Sequence, residues 1–316
     1  MKPAILIASG PWPAEPWAKP IRRIDPERPI HIWPDLRDPA AIRYALVWKP
    51  PQGLLATLPN LVAIFSLGAG VDHFIFQDGL PDVPIVRVVS PDLTQRMSEW
   101  VTLQVLIHHR QQRTYDRQQA ERHWQELRQP AAADVRVGIM GLGRLGRDAA
   151  AVLARIGFAV AGWTRRPNAV PGIATFHGAE ELDRFLARTD ILVCLLPLTA
   201  ETRGILSMPL FAKLARDGAI PHGPVVINGG RGGVQVEADI VAAIGQGILG
   251  GASLDVFRDE PLDPVSPLWR LPNVVITPHV AAASDAPSIA PEIIRQIIAY
   301  EAGEPLTNLV DKKAEY

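Results

Sequence analysis

At 316 residues and 34.5 kDa the chain is about twice the usual single-domain length, so two domains of roughly 150 residues each are expected. Apolar residues make up 47%, charged residues 21%, and the mean hydropathy is +0.09, which excludes a disordered, collagen-like or mucin-like chain. Lys and Arg total 32 against 33 Asp and Glu, a net charge of -1; no broad basic field exists to attract nucleic acid or an anionic membrane, and a small-molecule partner is expected.

In chain order, the opening apolar run Ala4 to Ala8 is too short for a signal segment or a membrane span and points to the cytoplasm. Ala4 to Ala8, Ala45 to Trp48, Leu61 to Leu67 and Ile85 to Val89 read as buried strands of one small parallel sheet, punctuated by Pro, Gly and Asn. Many of the 30 prolines crowd the first 60 positions and predict stiff turns there. Asp92 to Arg113 predicts a long helix that bridges two domains, with Trp100, Leu103, Leu106 and Ile107 on one apolar face. His108-His109 point about 100° apart on that helix and have no further ligand spacing, so no metal site is expected.

A second strand series follows: Val135 to Met140, Phe158 to Trp163, Ile191 to Leu196, Val225 to Asn228, Gly250 to Leu254 and Val274 to Thr277. Strands alternating with helix-patterned segments predict an α/β fold with parallel sheets, and six strands match the dinucleotide-binding tally. Cys194, the only cysteine, reads as a small core residue; one thiol makes no internal disulfide and suits a reducing compartment. Pro287 to Glu301 predicts a last helix that returns to the first domain, and Asp311 to Tyr316 reads as a solvated charged tail.

Gly141-Leu142-Gly143-Arg144-Leu145-Gly146 follows a Val/Ile strand and precedes the helix pattern Arg147 to Ile156. In that context the first glycine permits a tight turn, the second lets the backbone approach a pyrophosphate, and the third allows close helix packing, with the diphosphate at the helix N-terminus. NAD-selective sites place an acid about 20 residues on, at the tip of the second strand. Here the tip reads Trp163-Thr164-Arg165-Arg166, a hydroxyl and two guanidinium groups that suit the 2′-phosphate of NADP(H), with NAD(H) still open.

Polar groups also stand just past three later strands: Asn228-Gly229-Gly230-Arg231-Gly232, Leu254-Asp255-Val256-Phe257 through Glu260-Pro261-Leu262, and Thr277-Pro278-His279-Val280. Ligands of open α/β sheets bind outside the carboxyl ends of the strands. Reducing a ketone requires a proton for the developing alkoxide, and His279 is a natural donor because imidazole titrates near neutral pH. A carboxylate such as Glu260 favours the imidazolium and fixes its tautomer. Arg231 offers a rigid fork of donors for a 2-oxo acid. Taken singly, each residue also suits a structural role: a satisfied core histidine, a loop charge, a helix-capping ion pair.

These motifs, together with Val47-Trp48-Lys49-Pro50-Pro51, Leu67-Gly68-Ala69-Gly70-Val71-Asp72, Leu195-Leu196-Pro197-Leu198-Thr199 and Ser266-Pro267-Leu268-Trp269, resemble the D-isomer-specific 2-hydroxyacid dehydrogenase family, glyoxylate/hydroxypyruvate reductase A type, over nearly the whole chain. The resemblance implies two Rossmann-like domains: a discontinuous substrate domain at 1–102 and 281–316, and an inserted NAD(P)-binding domain at 103–280. It implies Arg231, Glu260 and His279 as the catalytic triad. Substrate contacts are expected at Trp48, Arg231 and Leu67, Gly68, Ala69, Gly70 and Val71, where a Gly-Ala-Gly turn after a strand can form an anion nest. Cofactor contacts are expected at Gly141 to Gly146 (with Leu142, Arg144 and Leu145), Trp163 to Arg166, Leu196, Pro197, Thr202, Gly229, Gly230, Asp255 and His279. A homodimer is also implied, in which Trp124 resembles a tryptophan that some dimers of this family lend across the interface.

The expected activity is NADPH-preferring reduction of small 2-oxo acids, glyoxylate to glycolate and hydroxypyruvate to D-glycerate. Another dehydrogenase of the family, formate or phosphite oxidation, or a dinucleotide-sensing corepressor-like module remain alternatives, because fold does not fix function. D-3-phosphoglycerate dehydrogenase is disfavoured, since the chain has no length for a regulatory domain. Two departures stand out: Gly230 replaces the Ala or Ser usual before the arginine, and the stretch Asp217 to Pro224 is several residues longer, which puts local cofactor fit in question.

Overall fold

The computed structural model describes residues 2–313; residues 314–316 of the charged tail lie outside the described residues. The chain divides into two compact units, residues 1–93 with 284–316 (unit 1) and residues 94–283 (unit 2).

Unit 1 begins with β1 (Ala4–Ala8), α1 (Glu15–Ile24), β2 (Ile30–Ile32), β3 (Ile42–Val47), β4 (Ala63–Ser66), α2 (Asp72–Ile75) and β5 (Ile85–Val86). All pairings are parallel, in the order β2-β1-β3-β4-β5. The order reverses between β1 and β3, the kind of point at which open α/β sheets bind ligands. Leu6, Ala45, Val47, Ile64 and Phe74 join in one buried cluster on one side of the sheet.

Unit 2 contains most of α3 (Pro91–His109), then α4 (Gln112–Ala120), β6 (Arg136–Met140), α5 (Arg144–Ile156), β7 (Ala159–Thr164), β8 (Ala174–His177), α6 (Gly178–Ala187), β9 (Ile191–Cys194), α7 (Met208–Phe211), β10 (Val225–Asn228), α8 (Glu237–Gly245), β11 (Gly251–Leu254) and β12 (Val274–Ile276). The parallel sheet runs β12-β11-β10-β9-β6-β7-β8, the dinucleotide-binding order with a seventh strand and its reversal between β6 and β9. Strand side chains alternate between two cores: Val137, Ile139, Ile191, Val193, Val225 and Ile227 face one, and Met140, Leu192, Cys194 and Val226 the other. Coverage on both faces explains why these strands are continuously apolar. The last helix, α9 (Ala286–Glu301), packs against α1 in unit 1 and buries Ile289, Ile293, Ile294 and Ile297.

Three local differences from the sequence expectations have physical causes. β2 and β8 are short edge strands with few or no fully buried residues, so they carry no apolar run to read. The long helix stops at His109 because Gln111 adopts a left-handed φ of 54°, and the polar α4 starts there. The buried face of α3 is Met97, Trp100, Val101, Gln104 and Val105, whereas Leu103 points outward. No helix among the described residues is long and apolar enough to cross a membrane.

Candidate active site

The glycine turn lies between β6 and α5 at the reversal point of the unit 2 sheet. Gly141 has φ 99°, and its N–H donates to Trp163 O at 2.9 Å, so the turn is drawn against the end of β7. A side chain at Gly146 would overlap the Gly141 carbonyl, while at Gly143 no atom lies within 4 Å of the Cβ position. The first glycine of α5 therefore packs tightly and the loop before it presents open backbone at a helix N-terminus. These residues fit a dinucleotide diphosphate.

At the tip of β7, Thr164 Oγ1 donates to Arg166 O at 2.6 Å, and Arg165 pairs with Glu201 at 2.9 Å. The Trp163 ring is buried and its Nε1 donates to Gly178 O at 2.8 Å, so its side chain serves the sheet face rather than the tip. Thr202 Oγ1 accepts from Thr199 N–H at 2.8 Å and donates to Pro197 O at 2.6 Å, which closes the turn after Leu196. Arg147 and Asn168, absent from the sequence-derived set, brace the glycine loop: Arg147 Nε and Asn168 Nδ2 both donate to Leu142 O at 3.1 Å.

Strand register explains the second cluster. Asn228, Leu254 and Ile276 are paired neighbours at the ends of β10, β11 and β12, so the chain just beyond each emerges on one edge of the sheet. His279 Nδ1 lies 3.0 and 2.9 Å from the two Glu260 carboxylate oxygens. Glu260 Oε1 also accepts from Phe257 N–H at 3.2 Å. Arg231 Nη1 donates to Gly230 O at 2.8 Å, and Gly232 abuts the Phe257 backbone so closely that a side chain there would overlap it. The arginine loop and the glutamate loop are thus packed backbone to backbone.

Asp255 is nearly fully buried and spends its carboxylate on the histidine loop. It accepts from Thr277 Oγ1 at 2.5 Å, Val280 N–H at 2.9 Å and Ala281 N–H at 2.9 Å, and its carbonyl accepts from His279 N–H at 2.8 Å. Trp100 Nε1 adds a bond to Thr277 Oγ1 at 3.1 Å. Asn228 bonds Arg231 O and Gln235, whose Nε2 donates to Val256 O at 2.9 Å. Gln235 and Trp100 were not legible as site residues because their sequence neighbourhoods carry no motif.

At Gly230, read from the sequence as a departure, a Cβ would stand 2.6 Å from Leu196 O. Gly229 likewise faces Trp100 and Met97 at 3.0 and 3.3 Å. The stretch 217–224, expected from the sequence to be an insertion, lies at the amino ends of the strands, where Asp217 pairs with Arg136 at 2.8 Å and Ile220 enters the core. It is remote along the strands from the glycine turn.

In unit 1, the turn after β4 spends two amides internally, Leu67 N–H on Val47 O at 2.9 Å and Gly68 N–H on Ser66 Oγ at 3.2 Å. Ser66 Oγ also donates to Gly70 O at 2.9 Å, which curls the turn. Among the described residues the Ala69, Gly70 and Val71 amides donate to no protein acceptor, an arrangement that suits an anion. Trp48 is buried at the end of β3, in ring contact with Trp12 and His73.

Cys194 lies buried in β9 among the unit 2 core, with its thiol pushed up to about 12 by that burial. His108 is pushed down to about 4, first by burial and then by Arg113, and its Nε2 is 2.9 Å from Ser253 Oγ. His109 stacks edge-on against Phe158.

Residues 102–281 match the model of the D-isomer specific 2-hydroxyacid dehydrogenase, NAD binding domain. The chain is 37% identical over 304 residues to glyoxylate/hydroxypyruvate reductase A of Yersinia enterocolitica, covering 94% of this chain and 95% of the relative. Among solved structures it is similar to the NADPH-dependent glyoxylate/hydroxypyruvate reductase of Sinorhizobium meliloti in complex with NADP and sulfate, at 49% identity and TM-score 0.94 over 100% of both chains. A D-isomer specific 2-hydroxyacid dehydrogenase from Xanthobacter autotrophicus Py2 in complex with NADPH and MES matches at 42% identity and TM-score 0.93, again over 100% of both. With its two parallel α/β sheets, its glycine turn and its His–Glu pair, the chain belongs to the D-isomer specific 2-hydroxyacid dehydrogenase family.

Proposed function

We propose that the chain is an NADPH-preferring reductase of small 2-oxo acids, converting glyoxylate to glycolate and hydroxypyruvate to D-glycerate. The observation that carries this reading is the His279–Glu260 pair at the carboxyl edge of the unit 2 sheet, with both carboxylate oxygens within 3.0 Å of Nδ1. The bound dinucleotide supplies the hydride. His279 Nδ1–H donates to Glu260, which fixes the ring and assigns the transferred proton to Nε2. The Arg231 guanidinium binds the substrate carboxylate and carbonyl oxygen and offsets negative charge on the latter. The Ala69, Gly70 and Val71 amides hold the carboxylate, and Trp48 walls the pocket. Asp255 positions His279 by fixing the backbone around it.

Cofactor choice rests on Arg165 and Arg166 at the β7 tip, where no acid stands to bond ribose hydroxyls. The similar S. meliloti and X. autotrophicus proteins were solved with NADP and NADPH, which supports the same preference. We take the dinucleotide-binding domain as residues 103–280 and the substrate domain, which carries the Ala69–Val71 amides, as residues 1–102 with 281–316. We assign a homodimer: Trp124 is 98% exposed and Leu103 also points outward, apolar surface that a second copy would cover. A single buried cysteine supports residence in the cytoplasm.

Initial rates of NADPH and NADH consumption with glyoxylate, hydroxypyruvate, pyruvate and 2-oxobutyrate test the reading. The highest kcat/KM is expected with NADPH and the first two acids. Faster turnover with NADH, or with 2-oxobutyrate, contradicts it.

A further inference from the structure

Three loops meet at the carboxyl edge of the unit 1 sheet, after β1, β3 and β4, around the point where the strand order reverses. Each contributes to one aromatic wall. The Trp12 and Trp48 rings stack with centroids 4.8 Å apart and planes 10° from parallel. His73, in α2 immediately after the anion-nest turn, lies 4.2 Å from the Trp48 ring at 50°. A side chain at Gly68 would overlap the Trp48 indole, so the ring rests directly on the backbone of that turn.

One four-residue turn holds both the backbone and the ring of Trp48. Trp12 N–H donates to Ser9 O at 3.1 Å, and Ser9 Oγ–H donates back to Trp12 O at 2.8 Å. Gly10, at φ 60°, approaches so closely that a Cβ would stand 2.6 Å from Trp48 O, and Trp48 N–H donates to Ala8 O at 2.9 Å. Swinging the indole aside would forfeit its contacts with Trp12 and His73 together.

We infer that Trp12 is a positioning residue that pins Trp48 against Gly68 beside the Ala69–Val71 amides, as a fixed wall limiting the bound acid to two or three carbons. The inference rests on the reading of those amides as the carboxylate site. A wall that cannot retreat turns each extra methylene into a steric conflict, whereas a mobile tryptophan would yield to it. Trp12 acts through Trp48 and contacts no reacting atom in this account.

The test is kcat/KM for glyoxylate, hydroxypyruvate, 2-oxobutyrate and 2-oxopentanoate in the unaltered enzyme, Trp12→Leu and Trp12→Phe, with inhibition by oxalate measured alongside. In Trp12→Leu the ratio of 2-oxopentanoate to glyoxylate is expected to rise about tenfold, the scale of one or two methylenes in a pocket. Trp12→Phe keeps a stacked ring and is expected to retain the original discrimination, and oxalate inhibition is expected to be unchanged in both because the amides stay in place. Should Trp12→Leu not fold, Trp12→Met carries the same comparison. An unmoved ratio in an active Trp12→Leu enzyme, or a parallel fall for every substrate, overturns the inference and leaves the reductase reading standing. Failure of the unaltered enzyme to reduce any short acid removes both.

Discussion

His279 holds a φ of 56°, a left-handed conformation that a non-glycine residue sustains only at a cost of about 1–3 kcal/mol. What holds it is Asp255, which receives bonds from Thr277, Val280 and Ala281 and from the His279 amide itself. Asp255→Asn replaces one acceptor oxygen with a donor facing these N–H and O–H groups. It is expected to lower stability by about 2 kcal/mol and to reduce kcat more than dinucleotide affinity, as read by urea unfolding and cofactor titration. At the β7 tip, Arg165→Ser with Arg166→Ser is expected to raise the KM for NADPH about tenfold and leave that for NADH little changed, since a charge-assisted contact to phosphate is lost. An equal rise for both cofactors would show that the pair does not read the phosphate.

At the scale of elements, the central strands were legible because they are buried on both faces, and Val225–Asn228 is a continuous apolar run that ends at its polar residue. The edge strands β2 and β8 and the polar helix α4 were not, since an element without an apolar face leaves no period to detect. The His–Glu partnership was legible from residue types after consecutive strands. The supporting work of Asp255, Gln235, Trp100 and Trp12 was not, because it depends on contacts across 22 residues for Asp255–Thr277 and 177 for Trp100–Thr277. Gly230 illustrates the same limit: the sequence marks it as a departure, and only the packed fold supplies Leu196 O 2.6 Å from a Cβ there. Gly230→Ala is accordingly expected to destabilise unit 2 by about 1–3 kcal/mol and to weaken dinucleotide binding, measured by thermal unfolding and fluorescence titration. Unchanged stability would mean that the loop relaxes without cost.

Across the whole molecule, stability has a charged component at the seam where the chain's two ends meet in unit 1. Buried Arg28 binds Glu301 of α9 through two bonds of 2.7 Å and Asp25 at 2.8 Å, and Lys2 reaches Asp25 at 2.5 Å. Arg28→Met leaves Asp25 with Lys2 alone and removes both guanidinium bonds to Glu301; it is expected to cost about 3 kcal/mol in urea unfolding. Acid sensitivity has a source in unit 2. His108 is held neutral in the fold, its pKa pushed from 6.5 down to about 4, so the unfolded chain binds the extra proton between those values. Its contribution is complete above pH 6.5 and is lost as pH falls toward 4, by at most about 3 kcal/mol. His108→Asn is expected to flatten that acid limb of the stability curve.

The central claim, that His279 and Glu260 form the proton-donating pair of a 2-oxo acid reductase, is tested most directly by one comparison. Measure kcat/KM for glyoxylate with NADPH in the unaltered enzyme and in His279→Ala, and titrate NADPH binding on the same preparations. The account predicts a loss of about 10²–10⁴-fold with NADPH affinity essentially retained. A loss of only a few-fold, with the cofactor still bound, would contradict it.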